Sequence, residues 1–221
     1  MIAEELINHM IPPLKLYDTV EKALRWMDEF RVNALPVVAS RKYAGLATEN
    51  SLIELPDRTR TLRDITLEYP DVFVMSSQHF YDVMEAAIKN KILVVPVLDE
   101  EQEYMGIITI NDTLTAFGQM SALQGQGSIL VLSMPERDYS LSQISRLIEE
   151  ENTKILSAYV SPDEADPYQI KLTLKLNKTD LTRIIATLER FEYRITAQFT
   201  DSTPDDGGRD RLDMLLKYLD I

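Results

Sequence analysis

Leu35-Pro36-Val37-Val38 returns sixty residues later as Val95-Pro96-Val97-Leu98. Self-similarity at that period constrains the fold more than any other feature of the chain. Ahead of each proline-bearing strand lies a helical stripe, Val20, Ala23, Leu24, Met27 in the first copy and Phe80, Val83, Met84, Ala87 in the second. Both stripes keep the i, i+3, i+4, i+7 spacing that lines one helix face. Asp18-Thr19 and Ser76-Ser77 are the expected caps. After each proline-bearing strand comes a short polar turn and a second strand, Tyr43 to Thr48 and Tyr104 to Thr109. The unit reads strand, helix, strand, strand, helix. One copy cannot cover both faces of so small a sheet, so the two are expected to share a core. The expected boundaries are 1–60 for the first repeat and 61–123 for the second.

These segments resemble the CBS (cystathionine β-synthase) family. The likeness is carried by Leu16 to Leu24, Leu35-Pro36-Val37 and Gly45-Leu46-Ala47-Thr48, and again by Val95-Pro96-Val97 and Gly106-Ile107-Ile108-Thr109-Ile110-Asn111-Asp112. It covers slightly more than half the chain, and its specificity lies in the ordered set occurring twice. At Thr109 to Asp112 a strand turns into a helix, where free N–H groups and the helix dipole favour an anion. A hydroxyl such as that of Thr109 can donate to a phosphate oxygen, while a carboxylate such as Asp112 can accept from two ribose hydroxyls. The resemblance implies those roles for Thr109 and Asp112, with backbone around Phe73-Val74 and Val94-Val95-Pro96 flanking an adenine. It names AMP, ADP, ATP or S-adenosylmethionine as regulatory ligands, with no firm cofactor. Thr109-x-x-Asp112 also has the form of a capping box, which needs no ligand. In the first repeat Ser51 stands where the ribose-binding Asp belongs and Glu49 adds negative charge, so that copy is expected to be weak or silent. Arg58, Arg60 and Arg63 are candidates to neutralise phosphates, with a solvated loop as the competing reading; Lys91 is a further one.

The glycine-bearing stretch Gln124-Gly125-Gln126-Gly127 reads as a linker. Beyond it a strand from Ile129 to Met134, a helix striped by Leu141, Ile144, Leu147 and Ile148, and strands at Ile155–Val160 and Ile170–Leu176 follow. A helix through Leu181, Ile184, Ile185 and Leu188, capped at Thr179 or Asp180, and a strand Tyr193–Phe199 complete the order βαββαβ. That order is the ferredoxin-like, split βαβ arrangement, and after two CBS repeats it resembles an ACT domain, expected over 124–200. The fold class expected of the whole is α+β. Tyr139 falls where ACT-type turns usually offer a glycine, and its side chain would crowd an amino acid resting on the backbone. Residues 201–221 read as a spacer and an amphipathic helix, Leu212, Leu215, Leu216, Leu219, packed on its own domain or docked to a partner. The layout of two CBS repeats and an ACT domain is similar to that of the acetoin-utilisation accessory proteins.

Thirty-six acidic against twenty-three basic residues leave a formal charge of -13, which repels a polyanion, and no Lys/Arg run offsets it, so no nucleic acid partner is expected. The 221 residues hold no cysteine, excluding disulfides and thiolate metal sites. His9 and His79 lack a third ligand nearby and read as surface or helix-start residues, not metal ligands. The start, MIAEELINHM, lacks the basic and apolar regions of a signal peptide, and the longest apolar runs fall far short of a membrane span. The expected setting is therefore the cytoplasm, with no membrane partner. With no Cys nucleophile, phosphate-cradling glycine loop or metal-ligand cluster, the chain is not expected to be an enzyme. Trp26 and Phe30 widen the apolar face of the first helix, which burial in a subunit interface would explain; a homodimer through the CBS helices is expected. The functional expectation is a ligand-sensing module that binds an adenosine nucleotide and relays a change of arrangement to the ACT-like domain or to a regulated protein yet to be identified. The alternative is a ligand-free dimeric scaffold.

Overall fold

The computed structural model describes residues 1–119 and 126–200. The chain divides into two compact units, with the boundary between Gln119 and Met120. Gln124 and Gly125 of the expected linker and the whole of the expected C-terminal spacer and helix, 201–221, lie outside the described residues.

In the first unit the sixty-residue period becomes two three-stranded sheets of the same design. Strands β1 (Leu14–Lys15), β2 (Ala34–Ala39) and β3 (Lys42–Thr48) form one, and β4 (Val74–Met75), β5 (Val94–Leu98) and β6 (Tyr104–Thr109) the other. Each opens with a parallel pair, Leu14 facing Val37 and Val74 facing Val97, and closes with an antiparallel one. Helices α1 (Val20–Phe30) and α3 (Phe80–Asn90) make the parallel crossovers; α2 (Glu49–Ile53) and α4 (Ile110–Gly118) follow the third strands. Both proline-bearing strands carry a bulge at the same place, after Val37 and after Val97, and the prolines at 36 and 96 lie just before it.

The helices begin where side chains can take their orphan N–H groups. Thr19 caps α1 by accepting from Lys22 N, with Lys22 Nζ on Asp18 at 2.6 Å. The second copy departs from expectation, because the cap falls at His79 rather than Ser76-Ser77: its ring accepts from Tyr81 N, and Asp82 accepts from His79 N. The buried faces of both repeats join in one core, with Leu14, Met27, Leu35 and Leu46 from the first and Phe80, Val83, Val95 and Ile108 from the second. As the pattern required, the two share their apolar interior.

The copies also exchange flanking segments. Residues ahead of the first repeat lie along β6, with Asn8 N donating to Ile107 O at 2.8 Å. Residues between the repeats lie along β3, where Leu46 and Glu68 exchange two backbone hydrogen bonds. Gly45, at φ +140°, permits that approach: a Cβ there would lie 2.8 Å from Leu67 Cβ and 2.9 Å from the Glu68 carbonyl.

The second unit runs β7 (Ser128–Pro135), α5 (Leu141–Glu150), β8 (Ile155–Pro162), β9 (Gln169–Leu176), α6 (Thr182–Arg190) and β10 (Arg194–Thr200). Its sheet has the order β10-β7-β9-β8 with every neighbouring pair antiparallel. Leu172, Leu174 and Leu176 are buried while Lys171, Thr173 and Lys175 between them stay partly open, giving the one wet face that the alternation implied. Ile144, Ile148, Ile184 and Leu188 cover the other face. Ser140 caps α5 and Asp180 accepts from Thr182 N at the start of α6.

Candidate functional site

The segment exchange decides what meets the end of β6. Thr109 is buried and caps α4: its hydroxyl accepts from Asp112 N at 3.1 Å and donates to Asp112 Oδ2 at 2.7 Å, while its own N–H reaches the same oxygen at 2.9 Å. The expected capping box therefore exists. Asn8 Nδ2 donates to both Asp112 carboxylate oxygens, at 3.1 and 3.3 Å. The carboxylate that would accept ribose hydroxyls is thus already engaged, by its own helix and by the N-terminal segment.

Around this pair lies a cleft of about 240 Å³. The first repeat supplies Phe30, Arg31 and Val32 at the end of α1, the N-terminal segment supplies Asn8 and Ile11, and the second repeat supplies Leu93 and residues 109–112. Of the residues expected from sequence, only Thr109 and Asp112 line it. Val94, Val95 and Pro96 are buried in the core, Val94 standing opposite Thr109 in the ladder, and the neighbouring Leu93 is the residue that reaches the cleft. Phe73 instead packs edge-on against Tyr43, at 6.5 Å between ring centres, and Val74 is buried beside Val97. The cause is the exchange: the segment ahead of the first repeat, not the one ahead of the second, runs beside β6.

Arg58 and Arg60 are also elsewhere. Their carbonyls accept from Glu21 N and Val20 N at the start of α1, and the Arg60 guanidinium donates to Asp64 O. The basic residue in the cleft is Arg31, at the opposite end of that helix, with φ 55° and ψ 45°. Sequence reasoning missed it because glycine is the usual signal for that left-handed position. Phe30, read from sequence as an interface residue, lines the cleft too.

The first repeat's counterpart is closed on itself. Thr48 donates to Ser51 Oγ at 2.9 Å, Ser51 Oγ donates back to Thr48 O, and no carboxylate stands at position 51. Three carboxylates do meet elsewhere, those of Asp99, Glu101 and Glu103, within 4.8 Å of one another. They serve the turn: Asp99 accepts from the N–H groups of Glu101 and Glu103, and Glu103 pairs with Arg41 at 2.6 Å.

Residues 62–118, which hold the Thr109–Asp112 corner, match the family model of the CBS domain. An inosine-5'-monophosphate dehydrogenase from Methanocaldococcus jannaschii is 23% identical over 150 residues, 67% of this chain and 30% of that enzyme. The chain thus spans less than a third of that relative. Among solved structures, a CBS domain pair/ACT domain protein from Thermotoga maritima is 21% identical, with 53% of this chain and 96% of that one covered and a TM-score of 0.49. A protein from Vibrio cholerae assigned to acetoin utilization is 20% identical, covering 56% of this chain and 95% of its own, at a TM-score of 0.48. No helix among the described residues is long and apolar enough to cross a membrane.

Proposed function

We propose that the chain is a regulatory, non-catalytic sensor in the cytoplasm whose two repeats form a CBS pair and bind an adenosine nucleotide in the cleft at Thr109 and Asp112. The observation that carries this reading is the convergence on one cleft of a helix N-terminus and a carboxylate acceptor, both within the stretch that matches the CBS domain, and of a cation from the other repeat. The second unit is read as a ferredoxin-like, ACT-type domain spanning 124–200, because its βαββαβ order and antiparallel sheet fit one. Binding regulates only if the ligand prefers one arrangement of the chain over another. A cleft built from both repeats provides such a difference, since moving one repeat against the other changes the ligand's contacts.

A ligand-free dimeric scaffold is the second reading, favoured by the hydrogen bonds that already satisfy Asp112. Calorimetric titration with AMP, ADP, ATP and S-adenosylmethionine separates the two. Under the sensor reading at least one binds, Asp112→Ala weakens it about ten- to a hundred-fold, and Ser51→Ala leaves it unchanged. Binding of none of the four would make the scaffold the better description.

A further inference from the structure

The open face of the second unit's sheet is less polar than a face turned to water usually is. Leu130, Leu132, Leu172 and Leu174 are buried against the helices, so the residues between them point the other way. On that side the ladder sets Phe199 beside Ile129, and Val131 between Ala197 and Thr173 with Tyr159 beyond. Phe199 and Tyr159 are each 59% exposed. Apolar surface running across all four strands is a surface that another element covers.

The charges on the same face narrow the choice of element. The outward positions of β7 to β10 carry Lys171, Lys175 and Arg194 and no acid, while Lys171 pairs with Asp163 just beyond β8. In a chain with a formal charge of -13, such a face suits an apolar partner that is itself acidic. The chain supplies one. β10 is an edge strand, and the described residues end at Thr200, one position after Phe199. Residues 201–221 therefore start at the border of the patch. They hold six Asp against Arg209, Arg211 and Lys217, and Leu212, Leu215, Leu216 and Leu219 keep the spacing of one helix stripe. Reach is sufficient, since a spacer of about eight residues extends to about 26 Å and four strands span about 14 Å. The tether also holds the stripe at an effective concentration on the order of millimolar, so a modest contact is enough to seat it.

We propose that residues 209–221 form an amphipathic helix seated on this open face, leucines against Ile129, Val131 and Phe199 and aspartates toward Lys171 and Lys175. The sheet of the second unit then has a helical layer on both sides, and a partner reaches the open face only by displacing the segment. The proposal is independent of the nucleotide reading. It settles on one of the two places that the sequence left open for this segment, its own unit, and names the face.

The chain has no cysteine, which makes the test direct. In the full-length protein Thr173→Cys, on the interior strand β9, is combined with Leu216→Cys; the control combines Leu216→Cys with Glu189→Cys, exposed on α6. Both are oxidised at low protein concentration, the intrachain disulfide is followed on non-reducing gels, and thermal unfolding of each reduced variant is recorded. The Thr173 pair is expected to close at least about ten-fold faster than the control. Adding Leu212→Asp and Leu219→Asp should bring its rate down to the control's. Equal rates for the two pairs overturn the proposal, because a segment without a fixed seat meets both positions alike. A faster control places the segment on the helical side and overturns it as well, as does a disulfide formed only between chains, which gives the face to a second copy. Should Thr173→Cys lower the unfolding temperature, Tyr159→Cys on β8 replaces it with the same ratio expected.

Discussion

Tyr43 and Tyr104 stand at the starts of β3 and β6 and repeat one another, yet their hydroxyls fare differently. Tyr43 Oη donates to Tyr69 O at 2.9 Å, while Tyr104 Oη is buried without a partner among the described residues. A made hydrogen bond is worth about 1 kcal/mol net, and a buried group left unpaired contributes nothing or costs stability. Tyr43→Phe should therefore lose about 1 kcal/mol in urea denaturation at pH 7, and Tyr104→Phe should lose nothing or gain slightly; equal losses would mean that Tyr104 has a partner. Burial pushes both phenols up, helped at Tyr43 by Tyr104 and Asp71. The sign of the pH effect follows from that direction. Below about pH 10 both states keep these protons. Above it the unfolded chain releases them while the folded chain holds them, so folding stability falls as pH rises. Tyr104→Phe should make that alkaline decline shallower by about 1.4 kcal/mol per pH unit, and an unchanged slope between pH 10.5 and 11.5 would show that this phenol ionises normally.

At the scale of the element, the N-terminal segment both completes the cleft and obstructs it. Asn8 anchors the segment to β6 through its backbone and to Asp112 through its side chain. Removing the amide frees the carboxylate for ribose hydroxyls, so Asn8→Ala should tighten AMP about five-fold while lowering stability by about 1 kcal/mol. Weaker AMP binding would instead make Asn8 a ligand contact. This element also marks where the sequence stopped being legible. The period of two in β9, the period of 3.6 in α1 and α3, and the two prolines displayed strands and helices directly, because each is a local pattern. What lies beside β6 is not local. Residues 7–8 carry no periodicity of their own, and nothing in them distinguishes β3 from β6 as a neighbour. The family resemblance implied Phe73-Val74 for this place, and here the cleft is lined by Asn8 and Ile11 instead. Arg31 was hidden for another reason: its left-handed cap position is one that glycine usually announces. His79 escaped as a cap because histidine is a poor one, and here Asp82 completes the arrangement.

At the scale of the whole molecule, the outward face of α3 and α4 calls for a cover. Tyr81, Met84, Ile88 and Phe117 line one apolar groove, and Ile88 is 72% exposed. Contiguous exposed apolar surface of this kind marks an interaction site. A second copy of the same face is the proposed occupant, in keeping with the dimer expected of CBS helices, and two-fold pairing would set each groove against its twin. Trp26 is the less promising anchor, since it is already packed by Lys22, with Nζ 4.2 Å from the ring centre, and by Phe30 edge-on. A net charge of -13 on each copy opposes association, and salt screens that repulsion while leaving apolar burial intact. Sedimentation should therefore show a dimer whose fraction rises with ionic strength. Ile88→Asp should yield monomers without loss of folding, because a side chain this exposed in the single chain contributes little to its core. A monomeric mass for the unsubstituted protein at every salt concentration would remove the α3–α4 face as the dimer contact. A dimer that survives Ile88→Asp would place the contact on another surface, with the open face of the second unit's sheet the next to test.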